Sequence, residues 1–134
     1  MSLLAVATVA SSGAQSHKWW QDERFQKSLA LSPDQIGRVN SVFEAAMPSL
    51  RAQKRALDKL EDELSKMVRE ARVEEREVEE FVVRVEAARA DLSKTRTLML
   101  FRMHRILSAD QNVKLDQMFA QAERERRPKG RGQK

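Results

Sequence analysis

Few residues in this chain could do chemistry, and those few point to soft-metal binding. Met99 and Met103 lie one helical turn apart and would share a helix face. Thioethers favour soft cations such as Cu(I). His104 adjoins the pair, and a facing long helix would bring Glu44 within reach, so Met99, Met103 and Glu44 make the candidate metal set. The plain reading is that both methionines fill gaps in a core. His17 is the only other histidine, and there is no cysteine, which excludes thiolate sites and disulfides. No Ser-His-Asp set and no Gly-rich phosphate loop can be placed. Carboxylates are numerous but interleaved with bases, as Asp58 and Asp62 are with Lys59 and Lys66, the pattern of a solvated helix face. The residues do not support an enzyme. They require no cofactor, and a transition metal is the one candidate ligand.

Two pentapeptides punctuate the chain, Leu31-Ser32-Pro33-Asp34-Gln35 and Leu107-Ser108-Ala109-Asp110-Gln111. Each reads L-S-x-D-Q and each spells a helix start. Ser32 or Ser108 is the N-cap, and Gln35 or Gln111 three residues later completes a capping box. Asp34 and Asp110 put negative charge at the positive end of the helix dipole. Pro33 takes the first helical position, where its missing N–H costs nothing. Leu31 and Leu107 stand in staple position.

A heptad stripe follows the first box: Ile36, Val39, Phe43, Ala46, Leu50, Gln53, Leu57, Leu60, Leu64, Met67. Pro48 lies within it and predicts a bend. A second stripe runs Val78, Phe81, Val85, Ala88, Leu92, Thr95, Met99, Ile106. The two long helices should form an antiparallel hairpin with a turn near Ala71 to Glu75. A short helix over Trp19 to Leu29 should precede it. A last short helix should follow, with Leu115, Met118, Phe119 and Ala122 on one face. The expected fold is all-α: a long helical hairpin flanked by two short helices.

Leu, Ile, Val and Phe supply only 27 of the 120 residues after Ala14, little for a closed core. The run Leu98-Met99-Leu100-Phe101 covers all sides of a helix and should be buried all round, by the short helices and a second subunit. A homodimer with two-fold symmetry is therefore expected.

The formal net charge of +5 sits in one place. Residues 124–134 hold six bases and one acid, so the remainder is neutral, and Asp58 to Glu80 carries ten acids against five bases. The excess marks a basic, disordered tail over 124–134 rather than a nucleic-acid face. Leu3 to Ala10 is a short apolar run, followed by small residues that fit cleavage after Ala14. It lacks the basic residues that should precede it. The expectation is export, with Met1–Ala14 as the signal segment, mis-started or kept as an uncleaved anchor. If the segment is retained in the cytoplasm, the alternative is a coiled-coil adaptor using its basic tail on nucleic acid.

The layout resembles the periplasmic LTxxQ proteins, the Spy/CpxP chaperone-like family and the related heavy-metal-resistance sensors. The two L-S-x-D-Q boxes stand where that family carries paired L-T-x-x-Q motifs, and the Trp19-Trp20 pair and the Leu98 to Leu107 stretch are similar to the metal-resistance branch. The resemblance implies a curved, homodimeric four-helix domain over residues 15–123, located in the periplasm. It implies one of two roles. One is ATP-independent chaperoning or stress adaptation through unfolded clients. The other is metal sensing relayed to a membrane-bound sensor or anti-sigma partner. In nickel–cobalt sensors of this type the first helix carries two histidines four apart, a Glu follows the first box, and His-x3-Met precedes the second. Here those positions align on Asp22 and Gln26, on Glu44, and on Met99 and Met103. Every histidine is lost, which favours the chaperone or adaptor role. Val42, Val68 and Val83, off the main stripes and amid charges, are candidates for client contact.

Overall fold

The computed structural model describes residues 18–127. The export segment expected at Met1–Ala14, His17 and most of the basic tail lie outside that range. The fold is all-α, with four α-helices and no strand among the described residues. A single 3₁₀ turn, Trp19–Gln21, leads into α1 (Glu23–Leu29), α2 (Pro33–Glu70), α3 (Glu75–Ile106) and α4 (Ala109–Arg126).

The first segment departs from one continuous helix over Trp19 to Leu29. Asp22 breaks it, because its extended backbone lets its carboxylate accept the Arg24 N–H and cap α1. α1 ends in a Schellman motif: Leu31 N–H reaches Gln26 O and Ala30 N–H reaches Lys27 O, with Ala30 at φ 53°. Pro33 opens α2 at its first position, and Pro48, exposed, leaves α2 one continuous element. Ala71, at φ 51°, closes α2 and donates to Met67 O. Residues 71–74 then link to α3, where the turn was expected. α4 runs to Arg126, three residues past the boundary expected at 123.

The chain packs as two units. Among the described residues, one joins those from Lys18 to Asn40 with those from His104 to Arg127. Its buried apolar residues are Trp19, Trp20, Phe25, Leu29, Val39, Leu107 and Leu115. The two indoles meet edge to face at 5.5 Å, and Phe25 packs against Phe119 of α4 at 5.9 Å. Of the α4 face expected from sequence, Leu115 is buried and Met118 and Phe119 are half-buried. Ala122, on the same face, is exposed, in the stretch of α4 where no described residue after Phe119 is covered.

The other unit, Ser41–Met103, is built from the long helices. Leu57 of α2 and Val85 and Leu92 of α3 form its buried cluster, flanked by Leu50, Leu60, Leu64, Phe81 and Ala88. All ten residues of the first heptad stripe are buried or half-buried, and so are all eight of the second. Arg89 ties α3 to α2 through Glu61 at 2.9 Å, and it also bonds Glu86 of its own helix at 3.2 Å. The carboxylate of Glu86, and after it Glu61, holds the Arg89 guanidinium above its ordinary pKa. The pair is exposed, so it sets geometry more than stability.

Candidate functional site

The two boxes form as the sequence predicts. Ser32 Oγ accepts the Gln35 N–H at 3.0 Å and Gln35 Oε1 accepts the Ser32 N–H at 3.1 Å. Ser108 and Gln111 repeat this at 3.1 and 2.8 Å. The motif spacing does not reveal the next step, in which the two glutamines bond to each other. Gln35 Nε2 donates to Gln111 Oε1 at 2.8 Å, and Gln111 Nε2 donates to Gln35 Oε1 at 3.1 Å. Each amide spends its second N–H on a helix end. Gln35 Nε2 reaches Ile106 O, the last residue of α3, at 3.2 Å, and Gln111 Nε2 reaches Leu29 O, the last of α1, at 3.0 Å. Each side chain thereby fills two acceptor and two donor places, its full capacity. One knot serves the N-termini of α2 and α4 and the C-termini of α1 and α3, where backbone groups lack helical partners.

Polar side chains around this knot are committed in the same way. Asn40 Oδ1 accepts from Trp20 Nε1 and from Gln21 Nε2, each at 3.0 Å. Asn112 Oδ1 lies 2.8 Å from His104 Nδ1, and Asn112 Nδ2 donates to His104 O at 3.0 Å. Asn40 and Asn112 carried no sequence signal, because an isolated asparagine beside a box matches no motif. Asp22 caps α1, and Gln26 Nε2 donates to Trp20 O at 2.8 Å. The two positions aligned with the sensor histidines therefore serve the fold.

The candidate metal set divides. Met99 and Met103 are each 2% exposed, in the interior. Glu44 is exposed on α2. No group of three or more His, Asp or Glu side chains suited to a metal occurs among the described residues. Met99 and Met103 lie one turn apart on α3, and their burial is that of core side chains.

The run Leu98 to Phe101 is not covered all round in the single chain. Met99 is buried and Leu100 half-buried, but Leu98 and Phe101 are 38% and 54% exposed. Buried Met99 faces the same way as Leu92 and Met103, which turns Leu98 and Phe101 outward on the same helix. Val68 and Val83 are exposed as expected, whereas Val42 is half-buried. Val73 in the link and Val82 are exposed as well. In this unit two buried polar atoms lack a hydrogen-bond partner, Gln53 Oε1 and Arg96 Nε. Desolvation pulls the Arg96 guanidinium below its ordinary pKa.

No helix among the described residues is long and apolar enough to cross a membrane. No curated relative and no solved structure matches the chain. A family model described as heavy-metal resistance does match; proteins of that family are in general non-enzymatic and periplasmic or extracellular. The match covers residues 1–114, both boxes included, and the chain belongs to this heavy-metal-resistance family, the LTxxQ group related to Spy and CpxP.

Proposed function

We propose that the protein is a non-enzymatic envelope-stress protein of the periplasm that holds unfolding clients without ATP. The observation that carries this reading is the fate of the sensor positions. Asp22 and Gln26 are bound into the cap and turn of α1, and the methionine pair is buried. What the chain leaves at its surface is apolar groups set among charges. Val68 and Val73 are 60% and 40% exposed around the α2–α3 link, within the acidic block from Asp58 to Glu80. Scattered apolar contacts of this kind hold an unfolded chain loosely, and the surrounding charges keep the complex soluble. A membrane-bound sensor or anti-sigma partner would be the recipient if the protein acts as an adaptor.

The test is suppression of aggregation of chemically reduced lactalbumin by the full chain, followed by light scattering. Suppression near equimolar ratio, weakened by Val68→Glu with an unchanged circular dichroism spectrum, supports the reading. No suppression at any ratio, together with saturable uptake of Ni(II), Co(II) or Cu(I) at one site per chain, overturns it in favour of a metal sensor. Met99 and Met103, one turn apart on α3, are the feature that favours that second reading, and it requires the core to open to admit the ion.

A further inference from the structure

Four valines stand exposed between residues 68 and 83: Val68 and Val83 at 60% and 68%, Val73 and Val82 at 40% and 38%. The Glu61–Arg89 bridge fixes how α2 and α3 face each other at this end. Val68 lies seven residues past Glu61, and Val82 seven residues before Arg89. Seven residues make about two helical turns, and the helices turn back on each other through residues 71–74. Val68 and Val82 therefore form the next rung toward the link, with Val73 just beyond it. Single exposed apolar residues are ordinary on a surface, but a rung of two with a third at the link is a patch. Its side chains are short and branched, so a ligand must bring the long apolar groups that cover it.

The same stretch is acidic. Residues 68–83 hold six acids and three bases. Glu80 is taken by Arg76 at 3.4 Å. Glu70, Glu74, Glu75, Glu77 and Glu79 are exposed and form no ion pair among the described residues. We propose that the link end of α2 and α3 binds cationic amphipathic peptides. Their leucine-like side chains cover Val68, Val82 and Val73, and their lysines and arginines pair with the free glutamates. Other occupants match one half of this surface only. An anionic lipid surface is repelled by the glutamates. Residues 124–134 of the chain supply bases but no large apolar group, and Leu3 to Ala10 supplies apolar groups but no base. Opposite charge around an apolar patch also speeds encounter and selects among partners. The site rests on the client-holding reading, since Val68 and Val73 belong to both, and it narrows that reading to one class of client.

The probe is fluorophore-labelled melittin, followed by anisotropy on adding the full chain, against a version with every lysine and arginine replaced by glutamate. Melittin should bind at least roughly tenfold tighter than the reversed peptide at low salt, and the gap should close as sodium chloride rises. Val68→Ser with Val82→Ser should weaken melittin roughly tenfold. Glu70→Gln with Glu79→Gln should weaken it roughly threefold and flatten its salt dependence. All four positions are exposed, so the helical spectrum should not change. Equal affinity for the two peptides, or melittin binding untouched by both double variants, overturns the proposal and leaves client holding in place. Suppression of lactalbumin aggregation without melittin binding does the same. Absence of both suppression and peptide binding removes the client-holding reading itself, and the site with it.

Discussion

Gln35 and Gln111, 76 residues apart in the chain, exchange side-chain amide hydrogen bonds at 2.8 and 3.1 Å while each closes a capping box and a foreign helix end. The requirement for glutamine follows. A glutamate keeps the Oε1 that the serine N–H needs but has no N–H for the partner amide or for the carbonyl of Leu29 or Ile106. Gln111→Glu should therefore lower stability by about 2 kcal/mol near neutral pH, by losing two donors in a half-covered site. The glutamate is better tolerated protonated, so its folded-state pKa lies above its unfolded value. The loss should shrink as pH falls through that folded pKa and reach its full size above it. Urea melts across pH check this, and a loss independent of pH would count against the donor argument.

Ser32 and Ser108 each satisfy one orphan N–H at 3.0 and 3.1 Å. Ser32→Ala and Ser108→Ala should each cost about 1 kcal/mol. Because both caps feed the same glutamine pair, the double variant should differ from the sum of the singles. A double-mutant cycle in urea measures the difference, and strict additivity would mean that the boxes act separately.

Ala30 and Ala71 occupy left-handed positions at φ 53° and 51°, where glycine is the ordinary residue. The left-handed conformation costs alanine roughly 1–2 kcal/mol, and glycine returns part of that as unfolded-state entropy. Ala30→Gly and Ala71→Gly should each leave the protein more stable by up to about 1 kcal/mol, read as a raised Tm.

Gln53 sits in the apolar stripe with a buried oxygen that has no hydrogen-bond partner. Gln53→Leu should stabilise the unit Ser41–Met103 by about 1 kcal/mol, because a buried orphan acceptor is replaced by apolar volume. Loss of stability in this variant would mean that the oxygen meets a bound water or a second chain.

The methionine pair can be tested without emptying the core. Met99→Leu with Met103→Leu conserves volume and should cost less than about 1.5 kcal/mol, whereas either change to alanine should cost about 2–5 kcal/mol. Calorimetric titration with Cu(I) under anaerobic conditions, on parent and leucine variant, should give the same uptake if the thioethers are core residues. Uptake lost in the leucine variant would make them ligands.

Much of this architecture is legible in the residues. The boxes announce the starts of α2 and α4, and the two heptad stripes give the buried faces of α2 and α3 residue by residue. Asp22 reads as an ordinary helical position until its side chain is seen to cap, because the cap depends on a backbone angle that no spacing encodes. The Gln35–Gln111 bond was hidden for a different reason. Each motif is complete on paper, and only the three-dimensional return of the chain shows that one amide serves two ends. Four apolar residues in a row call for cover on every side; the single chain supplies it on the side of Met99, and the rest was expected from a second subunit. The metal set was legible as chemistry but not as geometry. Burial of Met99 and Met103 and exposure of Glu44 are properties of the packing.

The division of the chain into a continuous unit and a discontinuous one also orders its folding. Ser41–Met103 is a single stretch whose contacts close across a short link. The knot at Gln35 waits for Gln111, and loop closure over such a span is slow relative to a local turn. During synthesis the first unit to become complete is therefore the middle of the chain. The residues from Trp19 to Asn40 stay without their α4 partners until nearly the whole polypeptide has emerged.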